Sequence, residues 1–284
     1  MFTRSTIRFA LPLTLLVAAP AFGCGGTTSG QSVSVPGAVR APVAQSAHGQ
    51  VKLIGEALGD VPLTPEQRGD IEKLAVDADV RHESARAAKT ELLLAIAEQV
   101  QAGTIDRAAL QPKIDALVAA AGSAQPADRV AFERLHAILA PDQRTAFVDA
   151  LEAHIGEHIG DLRDRHPMRA WAADLKLTDA QQSQIKTLLK QSFEAGREGH
   201  DGPPWSGEGR HRGAKLLKAF KQDRFVIDEV APPVDVGRKA GTTSDRFLGI
   251  ASQVLPILTP EQRSVAAQKI RERAASDFDA ERIP

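Results

Sequence analysis

The stretch His154-Ile155-Gly156-Glu157-His158 sets two imidazoles four residues apart with a carboxylate between them. Four residues is close to one helical turn, so both rings fall on one face of a helix. That spacing suits a shared zinc ion, and Glu157 suits a base that activates a zinc-bound water for peptide hydrolysis. His166, eight residues on, could add a third nitrogen to a simple zinc or copper site. Against both stand Gly156 and Gly160, which weaken the helix, and the lack of a distant acidic ligand or an obvious cleft. Solvated histidines at a helix end are therefore the first reading, a metal site on His154, His158 and His166 the second, and hydrolysis the third. No catalytic residue and no resident cofactor are expected.

The remaining reactive side chains are few. His200 and His211 lie in "GREGHDGPPWSGEGRHRG" (196–213), which reads as a mobile Gly-rich loop with solvated histidines. Trp205 within it is either tucked onto the body or an exposed anchor for a partner. No Gly-rich phosphate loop follows a strand, and no Ser-His-Asp pattern stands out. The lone cysteine, Cys24, follows "FALPLTLLVAAPAF", an apolar stretch with Arg4 and Arg8 before it, interrupted by proline and short for a membrane span. The segment resembles a bacterial lipoprotein signal, with Ala21 where such signals usually carry Leu. It implies residues 1–23 as a signal peptide and Cys24 as a lipidated N-terminus, with a plain cleaved export signal as the alternative. Residues 24–47 carry no acid and little periodicity, and read as a flexible tether.

A repeat positions everything else. "LTPEQR" occupies Leu63–Arg68 and returns at Leu258–Arg263, with looser copies "LAPDQR" at Leu139–Arg144 and "LTDAQQ" at Leu177–Gln182. The copies pair: Leu63 to Leu139 is 76 positions, and Leu177 to Leu258 is 81. The chain thus reads as two units, 48–166 and 167–284, each with an early and a late motif. Thr-x-x-Gln is a helix-capping box, in which Thr accepts the third N–H of the helix and Gln reaches back to the Thr N–H. Thr64 with Gln67, Thr178 with Gln181 and Thr259 with Gln262 fit. Gln143 has Ala140 in place of Thr, so that start should be weaker by about 1 kcal/mol. Proline at the first helical position and an acid beside it complete the signal at Pro65-Glu66 and Pro260-Glu261.

These motifs resemble the LTxxQ, Spy/CpxP-like proteins of the bacterial envelope, over about residues 60–280. "FKQDRF" in the second unit also resembles that group's Asp-x-Phe, where the first unit reads "AGTIDRAAL". The resemblance implies an all-α fold and an envelope-stress role. That role is either an ATP-independent chaperone holding unfolded or damaged envelope protein, or a modulator of a sensor protein, or a metal-linked accessory. Such proteins dimerise, so a duplicated chain is expected to pack as an intramolecular pseudo-dimer, a periplasmic monomer anchored by Cys24. The chain departs from the group's chaperone in two ways. Its only methionines are Met1 and Met168, and its first unit is acidic.

Composition agrees with helices. The chain is 43% hydrophobic, has no Tyr, and shows no run of alternating β-branched residues. Ile71, Leu74, Ala78, Ala85, Ala88, Leu92 and Ala95 form a helical stripe, widened by Leu93, Leu94, Ile96 and Val100. Helices are expected at about 50–58, from Pro65 to about 101, from Asp106 to about 121, at 127–139, and from Pro141 to Gly156 or Gly160. In the second unit they are expected at 179–195, 213–222, 243–257 and 260–278, with Pro232-Pro233 interrupting "VAPPVDVGRKAG". Residues 49–166 carry 13 basic and 20 acidic side chains, and 167–284 carry 19 and 16. Neither half is basic enough for nucleic acid, and the opposite signs favour the halves docking on each other.

Overall fold

The computed structural model describes residues 37–45, 47–164, 167–195, 207–233 and 235–279. Among these the regular elements are helical, apart from one isolated antiparallel bridge between Val39 and Leu63. In chain order they are α1 Gly49–Gly59, α2 Pro65–Ala102, α3 Arg107–Ile138, α4 Pro141–Asp164, α5 Pro167–Asp174 and α6 Asp179–Ala195. They continue with α7 Gly207–Phe220, α8 Ile227–Val230, α9 Val236–Val254, a 3-10 turn Leu255–Ile257, and α10 Pro260–Asp279. The fold is all-α.

Local chemistry sets most of the ends. Thr64 accepts the Gln67 N–H at 3.2 Å while Gln67 Oε1 accepts the Thr64 N–H at 3.0 Å. The same box forms at Thr178–Gln181 and at Thr259–Gln262. Glu261, in the first turn of α10, accepts hydrogen bonds from its own backbone N–H and then from Thr259, which hold its carboxyl below the usual carboxylate range. Asp106 and Asp235 cap α3 and α9 through their side chains. Gly103 ends α2 at φ 82°, with the Thr104 N–H donating to Gln99 O and the Gly103 N–H to Val100 O, a Schellman turn. A Cβ there would displace the Arg263 guanidinium end, which can swing away, so it is the left-handed backbone that calls for glycine. Thr64→Ala and Thr259→Ala should each lower the unfolding free energy by about 1 kcal/mol in urea titrations, whereas Ala140→Thr should raise it by a similar amount.

Several boundaries differ from the sequence expectation. α3 runs unbroken through Gly122 and Pro126, where two helices were expected. Ala124 is buried beside the proline, and two residues on Asp128 is held by Arg81 at 3.1 Å and His82 at 2.9 Å. Packing on α2 and α9 thus overrides the local helix breaker. α4 continues past Gly156 and Gly160 to Asp164. α7 begins at Gly207, inside the expected Gly-rich loop, because burial of Leu217 and Phe220 at its far end holds the helix. α9 begins at Val236 rather than 243. Its Gly237 lets the backbone approach Val118, where a Cβ would lie 3.0 Å from Val118 Cγ1.

The expected tether also ends before residue 47. Val43, Ala44 and Ala47 are buried, Arg68 donates to Ala41 O at 2.8 Å and Pro42 O at 2.7 Å, and the Ala44 N–H donates to Glu72 at 2.9 Å. The segment straps across α1, where a Cβ on Gly55 would meet Val43 O at 2.6 Å. Apolar side chains with satisfied backbone groups explain why it packs rather than floats.

Two large cores join the halves. One gathers the strap, α1, the start of α2, the end of α3 and α4 around Leu58, Leu63, Leu139, Phe147 and Val148, and takes in Leu217, Phe220, Phe225 and Ile227 from the C-terminal half. The other gathers Leu175, α9, the 3-10 turn and α10 around Leu248, Leu255, Ala267 and Ile270. It takes in Leu92, Leu93, Ile96, Ala97 and Val100 of α2 and Leu110 and Ile114 of α3. A smaller cluster of Ile185, Leu189 and Leu258 attaches α6 to this second core. The end of α2 is therefore apolar on several sides because it lies between α3 and α10. α3 and α9 run antiparallel, with Arg107 at the start of α3 paired to mid-helix Asp245 at 2.7 Å and Val118, further along α3, against Gly237 at the start of α9.

Candidate functional site

The capping glutamines have a second task. Gln67 Nε2 donates to Gln143 Oε1 at 2.7 Å and to Ile138 O at 2.8 Å, and Gln143 Nε2 returns a bond to Gln67 Oε1 at 2.9 Å and one to Pro62 O at 2.7 Å. Gln67 Oε1 and Gln143 Oε1 also accept the Thr64 and Ala140 N–H groups. Each amide thus uses both hydrogens and both lone pairs, and the backbone donors and acceptors leave only one orientation for each. The second pair repeats the arrangement. Gln181 donates to Gln262 at 2.9 Å and to Ile257 O at 2.8 Å, and Gln262 donates to Gln181 at 3.1 Å and to Lys176 O at 3.5 Å. In all four cases the carbonyl accepted is that of the residue just before the partner motif's leucine. Those leucines plug the cores beneath the knots: Leu63, Leu139 and Leu258 are buried, and Leu177 is half-buried.

The sixth motif position secures backbone nearby. Arg68 holds the strap, while Arg144 Nε donates to Leu139 O at 2.9 Å and to His136 O at 3.1 Å, with Nη1 3.3 Å from Gln222 O. Sequence reasoning assigned Gln143 to a weak cap and did not assign His136, Arg144 or any Gln–Gln pairing. Gln143 still accepts the Ala140 N–H without a Thr hydroxyl, so its presence in the sequence fitted a cap and gave no sign of the pairing.

The histidine motif has a different neighbourhood. His154 Nε2 lies 2.9 Å from Asp60 Oδ2, at the end of α1, and its Nδ1 lies 3.8 Å from Glu157 Oε2. His158 follows one turn along α4, but its side chain, His166, His200, Trp205 and Cys24 lie outside the described residues, as does the His211 side chain. Asp60 is thus a carboxylate neighbour of His154 that the sequence did not identify. Among the described residues no three His, Cys, Asp or Glu side chains converge in metal-binding geometry.

Among the described residues the most buried histidine is His136, which the sequence left unremarked. Its ring stacks on Phe225 with centroids 5.1 Å apart and meets Phe220 edge-on at 5.1 Å. Phe220 in turn touches Phe132 at 4.7 Å and Phe147 at 5.3 Å. Elsewhere the surface offers shallow features. A groove of about 450 Å³ between α2 and α3 is lined by Asp70, Lys73, Leu74, Asp77, Arg134 and Ile138. Val76 and Val80, one turn apart on α2, are exposed. No helix among the described residues is long and apolar enough to cross a membrane.

Compared with known protein families, with curated proteins and with solved structures, the chain matches none.

Proposed function

We propose that the chain is an exported holder of unfolded or stress-damaged envelope protein that works without ATP. In this reading it is lipid-anchored through Cys24 in the periplasm and built from a duplicated LTxxQ unit folded back on itself. The observation that carries the reading is the pair of glutamine knots. The same atoms play the same roles at Gln67–Gln143 and at Gln181–Gln262, which supports two copies of one unit rather than four separate good helix starts. The exchange between halves supports the pseudo-dimer. The end of α2 enters the core of the C-terminal half, and α7 with its following turn enters the core of the N-terminal half. Exposed Val76 and Val80 beside the charged groove offer a mixed apolar and polar surface of the kind a promiscuous holder uses.

Purified residues 25–284 should suppress aggregation of a reduced, unfolding client without nucleotide. Absence of suppression at stoichiometric excess would count against the holder. The alternative is a zinc- or copper-linked stress protein or sensor modulator. The hydrogen bond between His154 and Asp60 names the side chains to test, since an imidazole and a carboxylate already side by side are two groups of the kind zinc takes. On that alternative zinc raises the melting temperature, and Asp60→Asn or His154→Ala with His158→Ala abolishes the rise. On the holder reading zinc and chelator leave suppression unchanged. Cleavage of the client with zinc would instead support the hydrolytic reading of Glu157.

A further inference from the structure

His136 sits at the joint between the halves. Phe132 and His136 come from α3 and Phe147 from α4, while Phe220 ends α7 and Phe225 lies in the connection to α8. The ring is 6% exposed, and its Nε2–H donates to Gln222 O at 2.7 Å, which leaves Nδ1 as the site that takes a proton. The nearby charges come from every element at this joint. Arg144 of α4 is largely buried and reaches Gln222 O and Asp223, whose carboxylate is itself almost fully exposed. Glu133 of α3 accepts the Ile227 N–H at 2.8 Å. At the edges lie Arg129 paired with Asp228, Lys221 with Asp149 and Arg224 with Glu229. The closest well-buried charge is therefore the Arg144 guanidinium, of the same sign as a protonated imidazole.

We propose that this cluster is an acid-opened latch: protonation of His136 releases residues 213–231 from α3 and α4 and exposes its phenylalanines as a surface for unfolded polypeptide. The proposal rests on the holder reading and supplies its regulation. Burial among the phenyl rings holds the His136 pKa below the ordinary histidine value of 6.5. The Gln222 hydrogen bond opposes that shift, and Arg144 adds to it. The folded state thus prefers the neutral ring. Its contribution is whole above the ordinary value and is lost as pH falls from there toward the folded value, because the released chain binds a proton that the closed latch refuses. The other joint is aliphatic, with Leu92, Leu93, Ile96 and Val100 against Ala266, Ala267 and Ile270. Acid therefore loosens one joint and leaves the other closed.

The test is hydrogen exchange, corrected for intrinsic rates, on residues 25–284 at about pH 7.5 and pH 5, with aggregation suppression measured alongside. Protection of 213–231 should fall severalfold at the lower pH, within the ceiling of about thirtyfold that one group of ordinary pKa 6.5 can supply at pH 5, while 92–100 keeps its protection, and suppression should rise. His136→Gln keeps a donor for Gln222 O and should lose this pH dependence. If that variant does not fold, His136→Phe is read in its place. If neither folds, the ring proton resonance of His136 in the native chain should titrate together with the exchange of 213–231. Equal protection at both pH values overturns the latch, as does the same loss in the non-titrating variants or a His136 titration uncoupled from exchange. Loss of protection without any suppression keeps the latch and sinks the holder. Suppression equal at both pH values with protection intact keeps the holder and sinks the latch.

Discussion

Phe220→Ala should cost about 3–5 kcal/mol of unfolding free energy, the range for truncating a buried aromatic ring. Phe220 has no exposed surface and touches Phe132, Phe147, Phe225 and His136 at once. It is the keystone through which α7 enters the N-terminal core. Collapse around the cavity is limited because its neighbours come from three separate elements. Against a typical total of about 5–15 kcal/mol, the loss is a large fraction. Urea unfolding followed by circular dichroism should show a much lower midpoint, and proteolysis should first cut near residues 213–231. A loss below about 1 kcal/mol would mean that α7 does not depend on this core.

Gln143→Ala should be the next most damaging change, at about 3 kcal/mol, and Gln262→Ala should cost less, about 1–2 kcal/mol. Each deletion strands a partner amide, a backbone N–H at the motif's second position and a backbone carbonyl across the knot. For Gln143 these groups are Gln67, Ala140 N–H and Pro62 O, and the residue is 4% exposed. For Gln262 they are Gln181, Thr259 N–H and Lys176 O, in a knot that water reaches more easily. Comparing denaturant midpoints of the two variants reads the difference directly. Equal and small losses would mean that the glutamines act only as caps, since a cap alone is worth about 1 kcal/mol.

What could be read in the sequence was local. Thr64, Thr178 and Thr259 cap because their partners stand three residues away, and Gly103 ends α2 because its backbone alone demands glycine. Apolar width at Leu92–Val100 left two readings, burial on more than one side or an apolar surface; α3 and α10 bury Leu92, Leu93, Ile96 and Val100 from two sides and leave Leu94 exposed. What could not be read depends on contacts far along the chain. Gly122 and Pro126 look like a break until Asp128 is seen held by Arg81 and His82. The 39–47 strap looks like a tether until Arg68 and Glu72 satisfy its backbone. Gln67 and Gln143 look like two caps because nothing local says that residues 76 positions apart share an amide pair. His136 looks like one more helical residue until Phe220 and Phe225 arrive from the other half.

The central claim is that this chain carries both halves of a dimerising unit within itself, with each half's exchange surface already covered by the other. Sedimentation equilibrium on residues 25–284, over about a hundredfold range of concentration around the micromolar affinities of weak self-association, tests it most directly. The account predicts one species at the monomer's mass throughout. A dimer that grows with concentration would contradict it, because it would show that the surfaces assigned to internal pairing still seek a second chain.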